Sequence, residues 1–417
     1  MLPIDAEPIP EGAVLIGADG RIAAVGPAAA VPAPPDAESL VYPAAILLPG
    51  LVNTHTHLEL TGFEPTAAEL DFPRWILSIR RLKQVRPPEE FRAAARRGLR
   101  ACWAGGVTTV ADTGDSGAVL EALAALGGSG LVYHEIFGPH PDQRAESLAL
   151  FEQRMAALLP LASRRVRLGV SPHAPYSVSG PLYAAAAEWA RRRSLPLAVH
   201  LAESPAERDF VERGMGPFAD AWTARGIPLL DDPSHHPRAA GPGRQPRTPV
   251  QWLDAHGVLG PDTLCIHAVQ LGPEDVELLA RRQVAVAHCP LSNAAHRHGN
   301  APLTELLEAG VRVGLGTDSV ASVGPLDLLA EARAARRLAG LSDAAALALA
   351  TLHGARALGL GDELGSLTPG KWGDLAVVSA EPGPDRRTPE TAVLTAQAGA
   401  VTLTVLGGQI VHRAGPA

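Results

Sequence analysis

The stretch ILLPGLVNTHTHLEL, residues 46–60, decides how the rest of this chain is read. An apolar run from Ile46 to Val52 carries His55 and His57 to the end of what reads as one buried strand, Ile46 to Asn53. Side chains alternate faces along a strand, so these two imidazoles point the same way and could grip one metal ion. Alone the pair is weak, because H-x-H is common by chance and a histidine near a core is more often packed than ligating. The reading therefore requires further ligands elsewhere in the chain.

Working outward, short β-type runs alternate with longer segments rich in Ala, Leu and Arg as far as about Ser319. After the first strand the runs are Val107 to Asp112, Leu131 to Ile136, Val166 to Ser171, Leu195 to Leu201, Thr263 to Ile266, Val284 to His288 and Val311 to Gly316. Eight such βα units predict an α/β fold, a (β/α)8 TIM barrel. Between the first two, residues 88–102 carry acids early and arginines later, with Phe91, Ala95, Leu99 and Cys102 spaced as a buried helical stripe. A hairpin around Asp19-Gly20 and C-terminal strands within 374–378 and 400–411 predict a small β-sandwich. Residues 1–49 and 362–417 would form this composite domain, and 50–361 the barrel. The stretch 231–248 is rich in Pro, Gly and Arg and reads as a long excursion, so His235 and His236 within it are expected at the surface.

The barrel reading gives the histidines company. Barrel enzymes assemble their sites at the C-terminal ends of the strands. There the fifth strand ends in His200 with Glu203 following, the sixth in His267, the seventh in His288 and the eighth in Asp318. Each singly reads as a hydrogen-bonded strand end. Jointly, imidazoles and a carboxylate suit zinc or ferrous iron, with one position open for water.

These motifs resemble the amidohydrolase superfamily, in its branch of mononuclear-metal deaminases and related hydrolases. The resemblance rests on NTHTH (53–57), SPHAPY (171–176), HLAE (200–203), HAV (267–269), HCPLSN (288–293), GTD (316–318) and LGSLTPGKWGD (364–374). It implies that His55, His57, His200 and His267 bind one divalent metal ion, zinc or alternatively iron, with Asp318 as the remaining ligand. It further implies that Glu203 shuttles protons, Asp318 accepts one from water, His288 bonds the water or substrate oxygen, and His173 touches the substrate ring. Binuclear members use a carboxylated lysine on the fourth strand. Here Lys83 and Lys371 are the only lysines and neither falls at a barrel strand end, so one metal is expected. A different zinc deaminase class pairs H-x-E with P-C-x-x-C; His57 and Glu59 match the first half, but no C-x-x-C follows.

For the substrate, the loop after the first strand offers Phe63, Phe72, Arg74 and Trp75, which could roof a heterocycle and pair with a carboxylate. Equally, Phe72, Trp75 and Ile79 could form a helix face packed on the barrel, and Glu59 could contact substrate or cap the loop. The HTHLE start and the FPRWI segment (72–76) look like aminofutalosine deaminases, implying an adenine-type nucleoside. The segment AAHRHGN (294–300) departs from many relatives. The sandwich also lacks the strand that usually precedes its hairpin, which would put the natural start upstream. The alternatives are hydrolysis of a cyclic amide or aryl halide in the same site, or a silent scaffold.

Composition bounds the partners. A net charge of −8 without a basic face argues against nucleic acid, and no apolar segment is long enough to span a membrane. The cysteines, Cys102, Cys265 and Cys289, are odd in number and far apart, which fits a reducing cytoplasm. The family resemblance implies a possible homo-oligomer.

Overall fold

In the computed structural model, which describes residues 1–64, 71–230, 247–379 and 388–414, eight parallel strands neighbour one another in sequence order. They are Leu51–Thr56, Val107–Gly114, Gly130–Ile136, Val166–Pro172, Leu197–Leu201, Thr263–His267, Ala285–His288 and Arg312–Leu315. Both faces of such a sheet are dry, one under helices and one inside the barrel, which is why the strands are near-continuous apolar runs. The sheet closes between its first and last strands through a bridge from Thr56 to Asp318.

Side chains lace that seam. The Asn53 amide donates to Thr317 Oγ1 at 2.7 Å, and its oxygen accepts from the Thr317 amide at 3.1 Å. The His55 carbonyl accepts from the amides of Thr317 and Asp318 at 3.0 and 3.1 Å. Asn53→Ala should therefore destabilise the fold by about 1–3 kcal/mol, the cost of stranding buried polar groups. A lower urea midpoint at unchanged slope would register it.

One strand differs from its sequence reading. The apolar run splits at Gly50: Ala45–Pro49 pairs antiparallel with Leu375–Ser379 in a separate sheet, and only Leu51–Thr56 joins the barrel. Both halves are apolar because both serve dry sheets, so hydrophobicity could not reveal the break. Gly50 is needed at the junction, since a Cβ there would lie 2.2 Å from Thr108 Oγ1.

The second sheet continues through Val401–Leu406 and Gln409–Arg413, and the hairpin Gly12–Ile16 with Ile22–Pro27 packs on it as the expected sandwich. Ile22, Leu367, Leu375, Val377, Leu403 and Val405 form its core. Arg165 grips both oxygens of buried Asp374 at 2.8 and 2.7 Å, and Thr404 Oγ1 donates to the Trp103 carbonyl at 2.6 Å, tying sandwich to barrel.

The helix Pro88–Ala104 buries Phe91, Ala95, Leu99 and Cys102, the stripe predicted from spacing. Its Gly98 lets it approach the turn that follows His57, where a Cβ would meet Thr61 Oγ1 at 2.6 Å. All three cysteines are free and buried. Among the described residues no helix is long and apolar enough to cross a membrane. The 231–248 stretch, with His235 and His236, falls outside the described residues except for Arg247 and Thr248; Thr248 caps the helix Pro249–Ala255.

Candidate metal centre

The strand ends bring the predicted groups together. His55 lies centrally, with ring centroids 4.7 Å from His57, 5.0 Å from His200 and 5.6 Å from His267. Asp318 Oδ1 stands 3.6 Å from His55 Nε2 and 3.5 Å from His57 Nε2. Those separations are long for hydrogen bonds but match the spacing, about 3.3 Å, of neighbouring ligand atoms around tetrahedral zinc. Three sets of possible ligand atoms among the described residues lie within 4.8 Å of one another, and two of them include His55: one with His200 and His267, the other with His57 and Asp318.

Surrounding groups set the imidazole tautomers. His57 Nδ1 is 2.8 Å from the Thr113 carbonyl, which can only accept, so the proton sits on Nδ1 and Nε2 is a free base. His267 Nδ1 likewise donates to Asn293 Oδ1 at 3.0 Å, freeing its Nε2. Both nitrogens of buried His55, and Nδ1 of His200, have no hydrogen-bond partner among the described residues. Orphaned buried nitrogens beside a carboxylate, oriented from behind, fit a divalent cation. Because Asn293 holds His267, Asn293→Ala should weaken metal affinity by about 10- to 100-fold, measurable by chelator competition.

Charge states agree with that donor set. Burial, reinforced by His55, lowers His57 to about 3, and burial with neighbouring imidazoles holds His200 well below its usual value. These rings are neutral near pH 7, as ligands must be. Burial alone would raise Asp318, but the adjacent His55 and the neighbouring His57 and His267 outweigh it and keep the carboxyl well below its ordinary range. Ser292 Oγ donates to Asp318 Oδ2 at 2.6 Å. Burial, then Asp318 and Glu207, push Glu203 the other way, well above a normal glutamate. Two carboxyls in one site thus prefer opposite states, the arrangement expected of an acid and a base.

Backbone strain marks the same places. His267 at φ +70, Asp318 at +55 and Ala202 at +51 occupy the left-handed region disfavoured for residues with a Cβ. Buried Glu207 steadies the Ala202–Glu203 turn by accepting both amides, at 2.7 and 2.9 Å. Glu203 Oε1 then sits 3.5 Å from His267 Nε2.

Of the remaining predicted residues, His288 is fully buried at its strand end, neither nitrogen has a hydrogen-bond partner among the described residues, and burial lowers it to about 4. His173, lowered by burial to about 3, stands 4.8 Å from His200; its Nδ1 faces Ser177 Oγ at 2.8 Å. Trp75 is buried and meets Phe72 and His296 at 5.9 and 4.6 Å. Phe72, Trp75 and Ile79 do form the inner face of a helix, Phe72–Val85, and the first two also reach the mouth of the site. Arg74 points outward and is exposed, so its position does not support the carboxylate-pairing role expected for it. Glu59, for which the sequence leaves substrate contact and a loop-capping role equally open, is held by Lys83 on one oxygen at 2.6 Å and by Ser116 on the other.

Four polar groups escaped the sequence reading. Asn293 and Glu207 lie inside quoted or adjacent motifs, and the S-x-x-E pattern of 204–207 was a usable capping signal. Glu135, from the third strand, has a buried Oε1 with no hydrogen-bond partner among the described residues, is pushed up by burial to about 8, and groups with His173 and His200. His298 lies beside Glu203. A cleft of about 600 Å³ exists at the opposite end of the strands, bordered by Leu131, Leu168, Arg191 and Asp262, and contains none of these groups.

Known proteins share this arrangement of fold and sequence. The chain is 31% identical over 438 residues to a 5'-deoxyadenosine deaminase of Methanothermobacter thermautotrophicus, covering 99% of this chain and 92% of that one. It is 34% identical over 356 residues to the aminodeoxyfutalosine deaminase of Deinococcus radiodurans, covering 82% and 81%. A zinc-bound adenosine deaminase from Xanthomonas campestris superposes with a TM-score of 0.82 at 27% identity, over 98% of this chain and 90% of that one. The model of the Amidohydrolase family matches residues 46–411, and the chain belongs to that family.

Proposed function

We propose that this protein is a metal-dependent hydrolase that deaminates adenine-type nucleosides, using one zinc ion held by His55, His57, His200, His267 and Asp318. The observation that carries this reading is the geometry: four imidazoles converge at the strand ends, with Asp318 Oδ1 3.6 Å from His55 Nε2 on one side and Glu203 Oε1 3.5 Å from His267 Nε2 on the other. When bound, such an ion lowers the pKa of water toward about 7 and so supplies a nucleophile at neutral pH.

The chain's own groups do the rest. Asp318, ionised, accepts the proton that water gives up. Glu203, whose carboxyl is held by burial well above the ordinary glutamate range, gives its proton to the ring nitrogen as water oxygen bonds to the amine-bearing carbon. It then takes the hydroxyl proton of the tetrahedral centre and passes it to the amino group; the C–N bond breaks, ammonia leaves, a ring carbonyl remains, and the proton held by Asp318 restores Glu203. His288 hydrogen-bonds the oxygen as charge develops there. His173, with Phe72 and Trp75 at the mouth, orients the heterocycle.

Metal-loaded protein incubated with 5'-deoxyadenosine, methylthioadenosine, aminodeoxyfutalosine, cytosine and chloro-triazines tests the reading through ammonia release. Ammonia from one or more of the adenine-type nucleosides is the expected result. Chloride release from a triazine, with no ammonia from any amine, would sink the proposal.

A further inference from the structure

The segment 294–300 returns a second imidazole to Glu203. Within it Arg297 is exposed at φ +57, while His296 and His298 are buried and nearly parallel, their centroids 5.4 Å apart. The His298 ring meets Phe72 edge-on at 4.5 Å, and its carbonyl accepts from the Gln270 amide, which anchors the loop. The side chain is 3% exposed over the residue, and neither ring nitrogen has a hydrogen-bond partner among the described residues. Its Nδ1 lies 3.7 Å from Glu203 Oε1.

The other imidazole beside that oxygen cannot serve as donor. His267 gives its Nδ1 proton to Asn293, so in the neutral ring the Nε2 facing Glu203 carries none. A buried imidazole with two unsatisfied nitrogens is costly, and the Glu203 carboxyl oxygen near its Nδ1 can accept from it whether or not the other oxygen carries a proton. Contacts of this kind are often long before substrate binds and tighten in the reacting complex.

We propose that His298 is a positioning residue for Glu203: its Nδ1–H donates to Oε1 and fixes the carboxyl rotamer, so that Oε2 faces the substrate's ring nitrogen. Its identity as part of a deaminase rests on the function proposed above; the pairing itself does not. The role is confined to orientation, with the proton transferred to substrate coming from Glu203.

Two substitutions separate orientation from packing and from substrate contact. His298→Phe keeps a ring against Phe72 and His296 but removes the donor, whereas His298→Asn offers an amide N–H close to the position of Nδ1. His298→Phe should retain metal and lose about 10- to 100-fold in kcat with KM within about threefold, and His298→Asn should recover most of the loss. In a Glu203→Gln background His298→Phe should add almost nothing, since residues acting as a unit are not additive. Unchanged kcat, a rise in KM alone, or an undiminished effect in the double variant would overturn the proposal.

A substrate-free arm keeps it testable if His298→Phe fails to fold. In ring 1H–15N spectra of metal-loaded protein labelled at histidine, His298 should be the Nδ1–H tautomer, and its resonances should move on Glu203→Gln. An Nε2–H tautomer, or indifference to that change, would overturn the pairing. If the pairing holds while the wild type releases no ammonia from any nucleoside, the functional proposal falls and the positioning role stands.

Discussion

Glu203→Gln should leave the metal in place and lower kcat by about 10²–10⁴-fold, the range for removing a positioned general acid. Glutamine keeps the shape of the side chain, and the Ala202 and Glu203 amides remain held by Glu207, so the turn itself should persist. What disappears is the carboxyl proton, which burial and the neighbouring Asp318 and Glu207 hold more tightly than in an exposed glutamate. Elemental analysis beside steady-state kinetics checks both halves. Loss of metal in this variant would move Glu203 from proton carrier to ligand.

His55→Ala should have the opposite signature, losing most of the metal together with turnover by more than about 10³-fold. His55 is the ring closest to the middle of the cluster, is 1% exposed, and has no hydrogen-bond partner on either nitrogen among the described residues. Its carbonyl, which helps close the barrel, survives the substitution. The variant should thus fold, and the deficit should be one of metal affinity; restoration of activity only at high added zinc would be the confirming pattern. Full metal content at wild-type affinity would remove His55 from the ligand set.

The contrast between these variants depends on residues that were visible in the sequence to different degrees. Barrel strands announced themselves because a parallel sheet is dry on both faces, and the site residues stood out because they end such strands. The same dryness concealed the break at Gly50, where one apolar run feeds two sheets. Arg74 was legible in hindsight: with Phe72, Trp75 and Ile79 on one helical face, a residue between them must point elsewhere. Glu59 was not, because its partner Lys83 is 24 residues away and only the fold brings them together. His298 and Glu135 each looked like single polar residues without a pattern, and their meaning comes from neighbours on other strands.

The seam between the first and eighth barrel strands carries a last consequence. The third and fourth strands pair continuously from Gly130–Val166 to Ile136–Pro172, whereas the first and eighth share a single bridge and the lacing of Asn53. The candidate ligands straddle that line, with His55 and His57 on one side and Asp318 on the other. An ion gripped from both edges is topologically a removable cross-link between distant parts of the chain. It shortens the loop that must otherwise close by weak contacts alone. With the ligand set proposed above, cofactor supply would set how tightly the barrel is zipped, as well as whether it can react.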